Sequence, residues 1–402
     1  MKPAGLYPAI LGPAVLLTAG CGGSPTSPSS PAAPAVCVPA SKAEFSYVLT
    51  SYAVSMFTVD SCTGLFTATT PASVSTGYAY PQDDSEQMVA DPLGRFAYVA
   101  NLVSNASDLS TISMYTINPT TGVLTPTTPA TVPTGWFPQG IAIDPLGRFV
   151  YTVNTDDATV SMFTINQTTG ILTPTTPASV STLIPGELLS EPTFLTVDPT
   201  GRFLYVSALD TYGATVSMYA INQTTGFLTP LSPATVPAGG IPFQVVVAPS
   251  GKFAYVVNNS SGGEITDAVS QYTVNPTTGV LTENPSYGVA AGNAPTAIAV
   301  DPTSRYAYVV NRLDNTVSMF TIDSTTGDLT LNSTLTNPTA TIATGAEPFR
   351  IDFDPSGKFV FVTNEGSAAS IYTVNSDGTL TNAGTTGSVT GALSTAFTTA
   401  SQ

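Results

Sequence analysis

The 402-residue sequence predicts an all-β, seven-bladed β-propeller built from four-stranded antiparallel blades. A unit of about 50 residues recurs along the chain, a period typical of propeller blades. Each unit contains four short apolar runs separated by turn residues. The first copy lacks a strand that the end of the chain supplies. We therefore expect N- and C-terminal strands to share blade one and close the ring without an open edge.

The clearest copy of the unit starts at Pro138. Its first run ends in Asp-Pro-Leu-Gly, and Asp first, Pro second and Gly fourth are the preferences of a type I turn. The second run places Phe149 and Tyr151 on one face by its period of two, and the third run is apolar on both faces, as expected of a buried strand. The four predicted strands cover residues 140–143, 149–153, 159–165 and 171–175.

Seven copies can be counted on the third strand, which reads Val-Ser-Met-Phe-Thr-Ile in its clearest form. They lie at 54–59, 112–117, 160–165, 216–221, 269–274, 317–322 and 370–374. The turn after the first strand begins at 91, 144, 198, 248, 301 and 354, so the successive differences are 53, 54, 50, 53 and 53 residues. The first copy begins at its second strand, near 45–49, and residues 391–398 are predicted to supply its innermost strand.

Composition excludes several classes of partner and chemistry. The formal charge is −16, with ten lysines plus arginines and no histidine. Nucleic acid is not expected as a partner because binding its backbone needs clustered cations, and anionic membrane surfaces would repel the chain. Without histidine, a hydrolytic site must use carboxylates, Lys, Tyr, Ser or a bound cation.

The N-terminus has the pattern of an export signal over residues 1–20, with an apolar stretch too short to span a bilayer as a helix. Leu-Thr-Ala-Gly-Cys at 17–21 resembles the bacterial lipobox, in which Cys21 becomes lipidated. Residues 21–40 are predicted to be a Ser/Pro-rich tether and 41–402 the propeller. We expect a lipoprotein of the bacterial cell envelope, in the outer membrane or facing the periplasm, that meets the membrane only through its lipid. The alternative is an ordinary secretory signal.

Two further cysteines, Cys37 and Cys62, are predicted to form a disulfide because an exported compartment is oxidising. Cys37 precedes the second strand of blade one and Cys62 follows the third. These two ends are neighbours in an antiparallel pair. The alternative is two buried thiols.

The repeated phrase Asp-Pro-x-Gly-Arg-Phe-x-Tyr-Val-x-Asn, followed by Val-Ser-x-Tyr-x-Ile and Thr-Thr-Gly-x-Leu-Thr, resembles the seven-bladed β-propeller lactonase family. That family includes 6-phosphogluconolactonase-like enzymes and a muconate-lactonising relative, and the resemblance covers about residues 43 to 402. Tyr-Val-Val-Asn at 255–258 and 308–311 is also similar to the YVTN-type propeller repeats of surface proteins. These phrases specify turns and strands, so they indicate the fold more strongly than the chemistry.

The enzymes of that family carry a Pro-Arg-His phrase on an innermost strand and a Glu after the Asn that closes the next strand. The matching residues here are Pro348-Phe349-Arg350 and Asn364-Glu365. The resemblance therefore implies a role for Glu365. The family's histidine chemistry does not carry over, because Arg350 stands where His is expected.

The loops around the channel mouth differ between blades, whereas the tight turns at the opposite face barely change, which favours a site at the mouth. The polar groups expected there are Glu86, Gln87, Gln139, Gln244, Arg350 and Glu365. Glu86 or Glu365 can act as the base and Arg350 as the oxyanion donor, with Gln87, Gln139 and Gln244 binding the ligand.

Alternatives exist for each of these side chains. Trp136 can stack on a sugar ring or act as a wedge between blades. Carboxylates on exposed loops are usually solvated, and Arg350 can simply pair with Asp352 or Glu347. No cofactor is predicted; oxygen ligands around Asp83 and Glu86 would suit calcium, although no calcium-loop spacing is present.

Two functions follow from these observations. The leading hypothesis is a lipid-anchored, monomeric binding or scaffold module of the cell envelope, whose ligand is a carbohydrate or an envelope protein. The alternative is a lactonase-family hydrolase that opens a small sugar lactone. The enzyme requires Glu86 or Glu365 within hydrogen-bonding reach of Arg350 and an open pocket. A scaffold can leave these groups apart or fill the channel with Phe194, Phe243 and Phe349.

Overall fold

The computed structural model describes residues 42–51, 53–76, 87–102, 110–183, 190–210, 213–259, 269–285, 288–333, 337 and 339–399. All of them belong to one compact unit, Pro39–Gln402. They form seven antiparallel sheets, and the innermost strand of each sheet contacts the innermost strands of its two neighbours. The all-β, seven-bladed propeller predicted from the sequence is therefore confirmed.

Blade one is closed by strands from both ends of the described chain. Its strands are β1 (Glu44–Leu49), β2 (Ala53–Val59), β3 (Phe66–Ser75) and the final strand of the chain, β29 (Ser394–Thr399). The sheet order is β29-β1-β2-β3, and β29 pairs with β1 from Glu44 opposite Thr399 to Leu49 opposite Ser394. The predicted innermost strand is confirmed, and it starts three residues later than expected.

The other six blades follow the chain order, each from its innermost strand outward. Blades two to four comprise β4 (Gln87–Ala90), β5 (Phe96–Asn101), β6 (Thr111–Ile117), β7 (Leu124–Pro133), β8 (Pro138–Ile143), β9 (Phe149–Asn154), β10 (Thr159–Ile165), β11 (Leu172–Ser181), β12 (Ser190–Val197), β13 (Phe203–Asp210), β14 (Gly213–Ile221) and β15 (Leu228–Pro237).

Blades five to seven repeat this order, and in blade six the outer strand is split into two segments that both pair with the same third strand. The strands are β16 (Pro242–Val247), β17 (Phe253–Asn258), β18 (Val269–Val274), β19 (Leu281–Glu283), β20 (Pro295–Val300), β21 (Tyr306–Asn311), β22 (Thr316–Ile322), β23 (Leu329–Leu331), β24 (Thr341–Ala343), β25 (Pro348–Phe353), β26 (Phe359–Asn364), β27 (Ala368–Val374) and β28 (Leu380–Thr390).

The outer strand of the clearest repeat is longer than the sequence predicted. The fourth strand of the clearest repeat was expected to end at Thr175, but β11 continues to Ser181 after a register shift opposite β10. Pro174 and Pro177 lie in this strand. They are tolerated because an edge strand leaves one row of backbone N–H groups unpaired.

A tyrosine on the second strand of one blade joins it to the next blade. The hydroxyl donates to the carbonyl of the glycine in the next blade's outer turn, at 2.7 to 2.9 Å. The six pairs are Tyr47–Gly122, Tyr98–Gly170, Tyr151–Gly226, Tyr205–Gly279, Tyr255–Gly327 and Tyr308–Gly378. Burial raises the pKa of Tyr151, so its hydroxyl keeps its proton and remains a donor.

Only glycine fits the turn that accepts this bond. Gly226 has a φ of +74°, and a Cβ there would lie 2.5 Å from Cδ1 of Phe149. The same packing of a ring on a turn glycine recurs at the seventh boundary, between Phe359 and Gly64. The Thr-Thr-Gly turns of the repeat therefore set the spacing between blades.

The boundary between blades seven and one lacks the tyrosine hydroxyl, because Phe361 stands at that position. Four phenylalanines fill the space instead. The ring of Phe361 lies 4.8 Å from Phe66 and 4.6 Å from Phe397, and Phe66 lies 5.2 Å from Phe57. An aromatic cluster thus replaces a hydrogen bond where the two ends of the chain meet.

The Asn that ends the second strand is also structural. Asn154 is buried, and its Nδ2 donates to Oγ of Ser161 at 2.8 Å. Asn311 makes the same bond to Ser318 at 2.9 Å. The Asn of the Tyr-Val-x-Asn phrase thus bonds the Ser of the Val-Ser-x-Tyr phrase, which agrees with the expectation that these phrases are structural.

Some predictions fall wholly or partly outside the described residues. Cys62 is disulfide-bonded, but Cys37 and the lipidation candidate Cys21 both lie outside, so the Cys37–Cys62 pairing stays a prediction. The export signal over 1–20 and the tether over 21–40 lie outside as well. The part of the chain that the structure describes contains no helix with the length and apolar character needed to cross a membrane.

The tyrosine bonds between blades predict a stability change. Tyr151→Phe should lower the free energy of unfolding by about 1–3 kcal/mol, because it leaves the buried carbonyl of Gly226 without its donor. Chemical denaturation followed by far-UV circular dichroism measures this. Thr164→Val removes an exposed hydroxyl bond and should stay within about 0.5 kcal/mol of the original protein. Equal losses in both variants would contradict the role of the boundary tyrosine.

The buried carboxyl group of Glu44, on β1 of blade one, predicts that the stability of the protein depends on pH. Its side chain is only 4% exposed and Oε2 has no hydrogen-bond partner among the described residues. Burial, and then the charge of Asp354, raise the pKa of Glu44, with Lys358 opposing. A raised pKa in the folded state means that the stability contributed by the protonated group is present in acid and lost as the pH rises.

Glu44→Gln should therefore raise the melting temperature at pH 8, and the gain should shrink toward pH 4, where both side chains are neutral. Thermal unfolding across this pH range tests the expectation. Glu283→Gln on the exposed edge strand β19 is the matched control and should show no such trend. A gain from Glu44→Gln that is constant with pH would show that the carboxylate charge is not the cause.

Candidate active site

A cavity of about 230 Å³ lies among the innermost strands of the propeller. Strands β4, β8, β12, β16, β25 and β29 all contribute to its wall, so the cavity occupies the central channel. Its polar lining comes from Gln87, Gln244, Arg350, Asp352, Ser394 and Thr395. Three of the ligand-site residues predicted from the sequence, Gln87, Gln244 and Arg350, are thus brought together.

Arg350 is the buried cation of this cavity. The residue is 8% exposed, and Nη1 has no hydrogen-bond partner among the described residues. Its guanidinium carbon lies 4.9 Å from the ring centroid of Phe194, 5.1 Å from Phe349 and 5.6 Å from Phe243. Three aromatic faces therefore hold the charge without using its N–H donors.

The charge state of Arg350 follows from the same surroundings. Burial lowers the pKa of Arg350 to about 10, although the nearby charges of Asp352 and Glu365 act in the opposite direction. The side chain remains a cation at neutral pH. Its backbone N–H donates to Oγ1 of Thr363 at 2.9 Å, which fixes the start of β25 on β26.

Asp352 lies two residues after Arg350 on β25, and alternate residues of a strand share one face. Both side chains line the cavity. Oγ1 of Thr395, from β29, donates to Oδ2 of Asp352. Burial inside the channel raises the pKa of Asp352 despite this hydrogen bond and the charge of Arg350. The sequence analysis treated Asp352 only as a partner for Arg350, although the period-two spacing was visible.

Gln87 and Gln244 are oriented by the neighbouring blades. Oε1 of Gln87 accepts from the backbone N–H of Ile141 at 3.1 Å, and Oε1 of Gln244 accepts from Ile298 at 2.7 Å. With their oxygens fixed in this way, both amides keep NH₂ donors. Together with Arg350, they give the cavity a wall rich in hydrogen-bond donors.

Glu365, which the resemblance singled out, is not among the residues that line the cavity. Its Oε2 accepts a hydrogen bond from Nη2 of Arg312 at 2.5 Å, and the same Nη2 lies 3.8 Å from Glu347. The guanidinium carbon of Arg312 also lies 5.6 Å from the ring of Phe349. Glu365 thus binds Arg312, and its charge also acts on Arg350.

The remaining predicted residues lie elsewhere. Gln139 is half-buried on β8, and Trp136 is 45% exposed, with its backbone N–H donating to Oδ2 of Asp157 at 2.6 Å. Neither is among the residues that line the channel cavity. Glu86 lies outside the described residues, as do the calcium candidates around it. Over the ranges that the structure describes, no group of three Asp, Glu, Cys or His is placed to hold a metal ion.

The three phenylalanines of the channel do not fill it. Phe243 packs edge-on against Phe349, with ring centroids 5.7 Å apart, and Phe194 lines the cavity beside Arg350. An open pocket therefore remains next to the cation and Asp352. The enzyme hypothesis also required Glu86 or Glu365 beside Arg350, but Glu365 does not line the pocket and Glu86 lies outside the described residues.

A family profile described as "Lactonase, 7-bladed beta-propeller" matches residues 38–185, 178–266 and 265–392. Among curated proteins, a 6-phosphogluconolactonase of Serratia proteamaculans is 27% identical over 202 residues. That alignment covers 48% of this chain and 56% of the relative. The chain therefore spans about half the length of this relative, and 27–30% of three others with the same description.

Solved structures share the fold over nearly their whole length. A periplasmic gluconolactonase of Pseudomonas aeruginosa has a TM-score of 0.63 at 19% identity, covering 85% of this chain and 95% of that one. A Bacteroides fragilis protein with a provisional assignment as a 6-phosphogluconolactonase has a TM-score of 0.67 at 20% identity, covering 89% and 98%. At these identities the likeness concerns the fold.

Asp352 predicts a measurable titration. In ¹³C NMR of protein labelled at aspartate Cγ, Asp352 should titrate above the usual range of a surface aspartate, because its burial disfavours the charged form. Exposed Asp323 is the control and should titrate below that range, because backbone N–H groups of Thr326 and Thr325 bind its carboxylate. The Asp352→Asn and Asp323→Asn variants assign the two signals. An Asp352 signal that titrates with or below Asp323 would contradict the buried environment.

Proposed function

The chain belongs to the lactonase family of seven-bladed β-propellers, and from that premise we propose that it hydrolyses a small sugar lactone in the channel cavity. The observation that carries this proposal is the open pocket that Arg350 and Asp352 line from the same face of one strand, with Nη1 of Arg350 lacking a hydrogen-bond partner among the described residues. Buried charged donors are rarely left without a partner in folded proteins, which favours a role for Arg350 in binding a ligand.

Arg350 supplies the electrophilic half of the site. When water adds to the lactone carbonyl, the carbonyl oxygen becomes an anion, and a charged N–H donor stabilises it more than it stabilises the neutral substrate. The Phe194, Phe243 and Phe349 rings exclude water from the guanidinium and hold its plane in place. The donor is thus oriented before the substrate arrives.

Asp352 supplies the base. Its carboxylate accepts a proton from the attacking water, whose oxygen forms the new bond to the carbonyl carbon, and the raised pKa of Asp352 makes it a stronger base than a surface aspartate. The ring C–O bond then breaks, and the proton passes to the ring oxygen, which leaves as a hydroxyl. The product is the open-chain acid.

The size and lining of the cavity suit a single sugar ring. Its volume of about 230 Å³ is below the usual range for drug-sized ligands. The NH₂ groups of Gln87 and Gln244 and the hydroxyls of Ser394 and Thr395 can bind the substrate's hydroxyl and carbonyl oxygens.

The binding or scaffold module was the leading hypothesis from the sequence. Family membership, the 6-phosphogluconolactonase relatives and the open pocket beside Arg350 favour the hydrolase instead. In this proposal Glu365 is a positioning residue that holds Arg312 against Phe349, and it is not the base.

Lactone hydrolysis by the propeller, residues 36 to 402, tests this proposal with δ-gluconolactone and its 6-phosphate, with and without calcium. Arg350→Ala should lower kcat/KM by about 10²- to 10³-fold, since it removes the oxyanion donor. Asp352→Asn should lower it by about 10²- to 10⁴-fold. Because the carboxylate form is the active one, kcat of the original protein should rise with pH as Asp352 loses its proton.

Trp136→Ala and Gln139→Ala are the matched controls, and neither should change kcat/KM, because neither side chain lines the cavity. Glu365→Gln should have a smaller effect than Asp352→Asn. Activity that survives both Arg350→Ala and Asp352→Asn would refute the assigned site. A folded protein without activity on either lactone would refute the hydrolase and return the binding module as the better function.

A further inference from the structure

A second cavity lies at the boundary between blades seven and one, on the outer side of the propeller. It has a volume of about 580 Å³ and is lined by residues of β2, β3 and β28 and by Thr50. It shares no lining residue with the channel cavity. We call it the seam groove, because it lies where the first and last blades meet.

The groove arises where the repeat departs from its usual residues. In blades two, four, five and seven a third-strand tyrosine donates to a carbonyl in or next to the preceding blade's outer strand, as Tyr115 does to Ser75 at 3.0 Å, whereas blades three and six have Phe163 and Phe320 there. In blade one that position is Phe57, which has no hydroxyl. Ala68 lies opposite Phe57, whereas proline lies opposite the corresponding residue of blades two, three and four.

Two aromatic rings, those of Phe57 and Phe66, line the groove. Phe66 stands where the other six blades have leucine at the start of the outer strand. Its ring is partly exposed and lies 5.2 Å from Phe57, while its inner side stacks on Phe361 at 4.8 Å. The cluster behind Phe66 fixes the ring, so the groove has a rigid aromatic wall.

The opposite wall carries a buried hydroxyl with no bond. Thr386 on β28 is 8% exposed, and its Oγ1 has no hydrogen-bond partner among the described residues. It follows Thr385, which pairs with Ser370. A buried hydroxyl that has no hydrogen-bond partner costs about 1–3 kcal/mol.

The chemistry of the groove matches an uncharged sugar. No described residue that lines it carries a formal charge, and its polar groups are the hydroxyls of Thr50, Ser55, Ser73, Thr386 and Thr390. Hydroxyls both donate and accept, as sugar hydroxyls do, and an aromatic face packs against the C–H face of a pyranose ring. We propose that the seam groove binds a neutral saccharide, with Phe66 stacking on a ring and Thr386 bonding a sugar hydroxyl.

Ligand-observed NMR titration with maltose and cellobiose tests this proposal on the propeller, residues 36 to 402. Phe66→Leu introduces the residue that the other six blades have, and Thr386→Val keeps the shape of the side chain, so both variants should fold, which thermal unfolding checks. Thr386→Val should weaken binding of the disaccharide about tenfold, and Phe66→Leu should weaken it at least as much. Thr385→Val, next along β28 but outside the groove, should leave the affinity unchanged.

The Arg350→Ala protein separates this groove from the channel. A disaccharide bound in the seam groove should bind equally well to Arg350→Ala. Binding that is lost in Arg350→Ala but kept in Thr386→Val and Phe66→Leu would place the sugar in the channel and overturn the proposal. Failure of both disaccharides to bind the folded original protein would overturn it too. Neither result bears on lactone hydrolysis, which the channel variants test independently.

Discussion

The contact between a tyrosine hydroxyl and a turn glycine is the constraint on which this propeller depends. A blade of four strands cannot bury both of its faces alone, so stability comes from stacking each sheet on the next. Because the turn glycine has no Cβ, an aromatic ring of the neighbouring blade packs directly against it, and the tyrosine donates to the same glycine's carbonyl. A larger residue at the turn would separate the sheets, and a missing hydroxyl would leave a buried carbonyl unsatisfied.

The packing between blades also helps to explain how the channel can hold the buried positive charge of Arg350. Contacts made farther out help to keep the innermost strands at a fixed spacing, and in the channel itself the bonds of Gln87 with Ile141 and of Asp352 with Thr395 also join neighbouring blades. Arg350 can then be desolvated by three rings rather than neutralised by a carboxylate. The cost of burying a cation is offset by aromatic faces, which leave its hydrogen-bond donors available.

Most of the fold was predictable because its information is local and repeated. The Asp-Pro turns, the period-two aromatic residues and the missing strand at the N-terminal end each specify a short piece of geometry, and seven copies determine the ring. The site was less predictable because it is assembled from different blades. Arg350, Gln87 and Gln244 were identified from their places on innermost strands. Asp352 was undervalued because its pairing with Thr395 of β29 joins residues that the repeat pattern does not relate.

The closing boundary shows how a repeat acquires individual features. Six boundaries use a tyrosine and a glycine that lie 70 to 75 residues apart in sequence, whereas the seventh joins the two ends of the propeller. There Phe361 replaces the tyrosine and Phe66 replaces the leucine of the other blades, and ring packing that includes Phe57 makes up for the missing hydrogen bond. Ring packing tolerates small shifts better than a hydrogen bond does. The boundary that joins the first and last blades is therefore held by the less directional interaction, and it is also the boundary that leaves room for a groove.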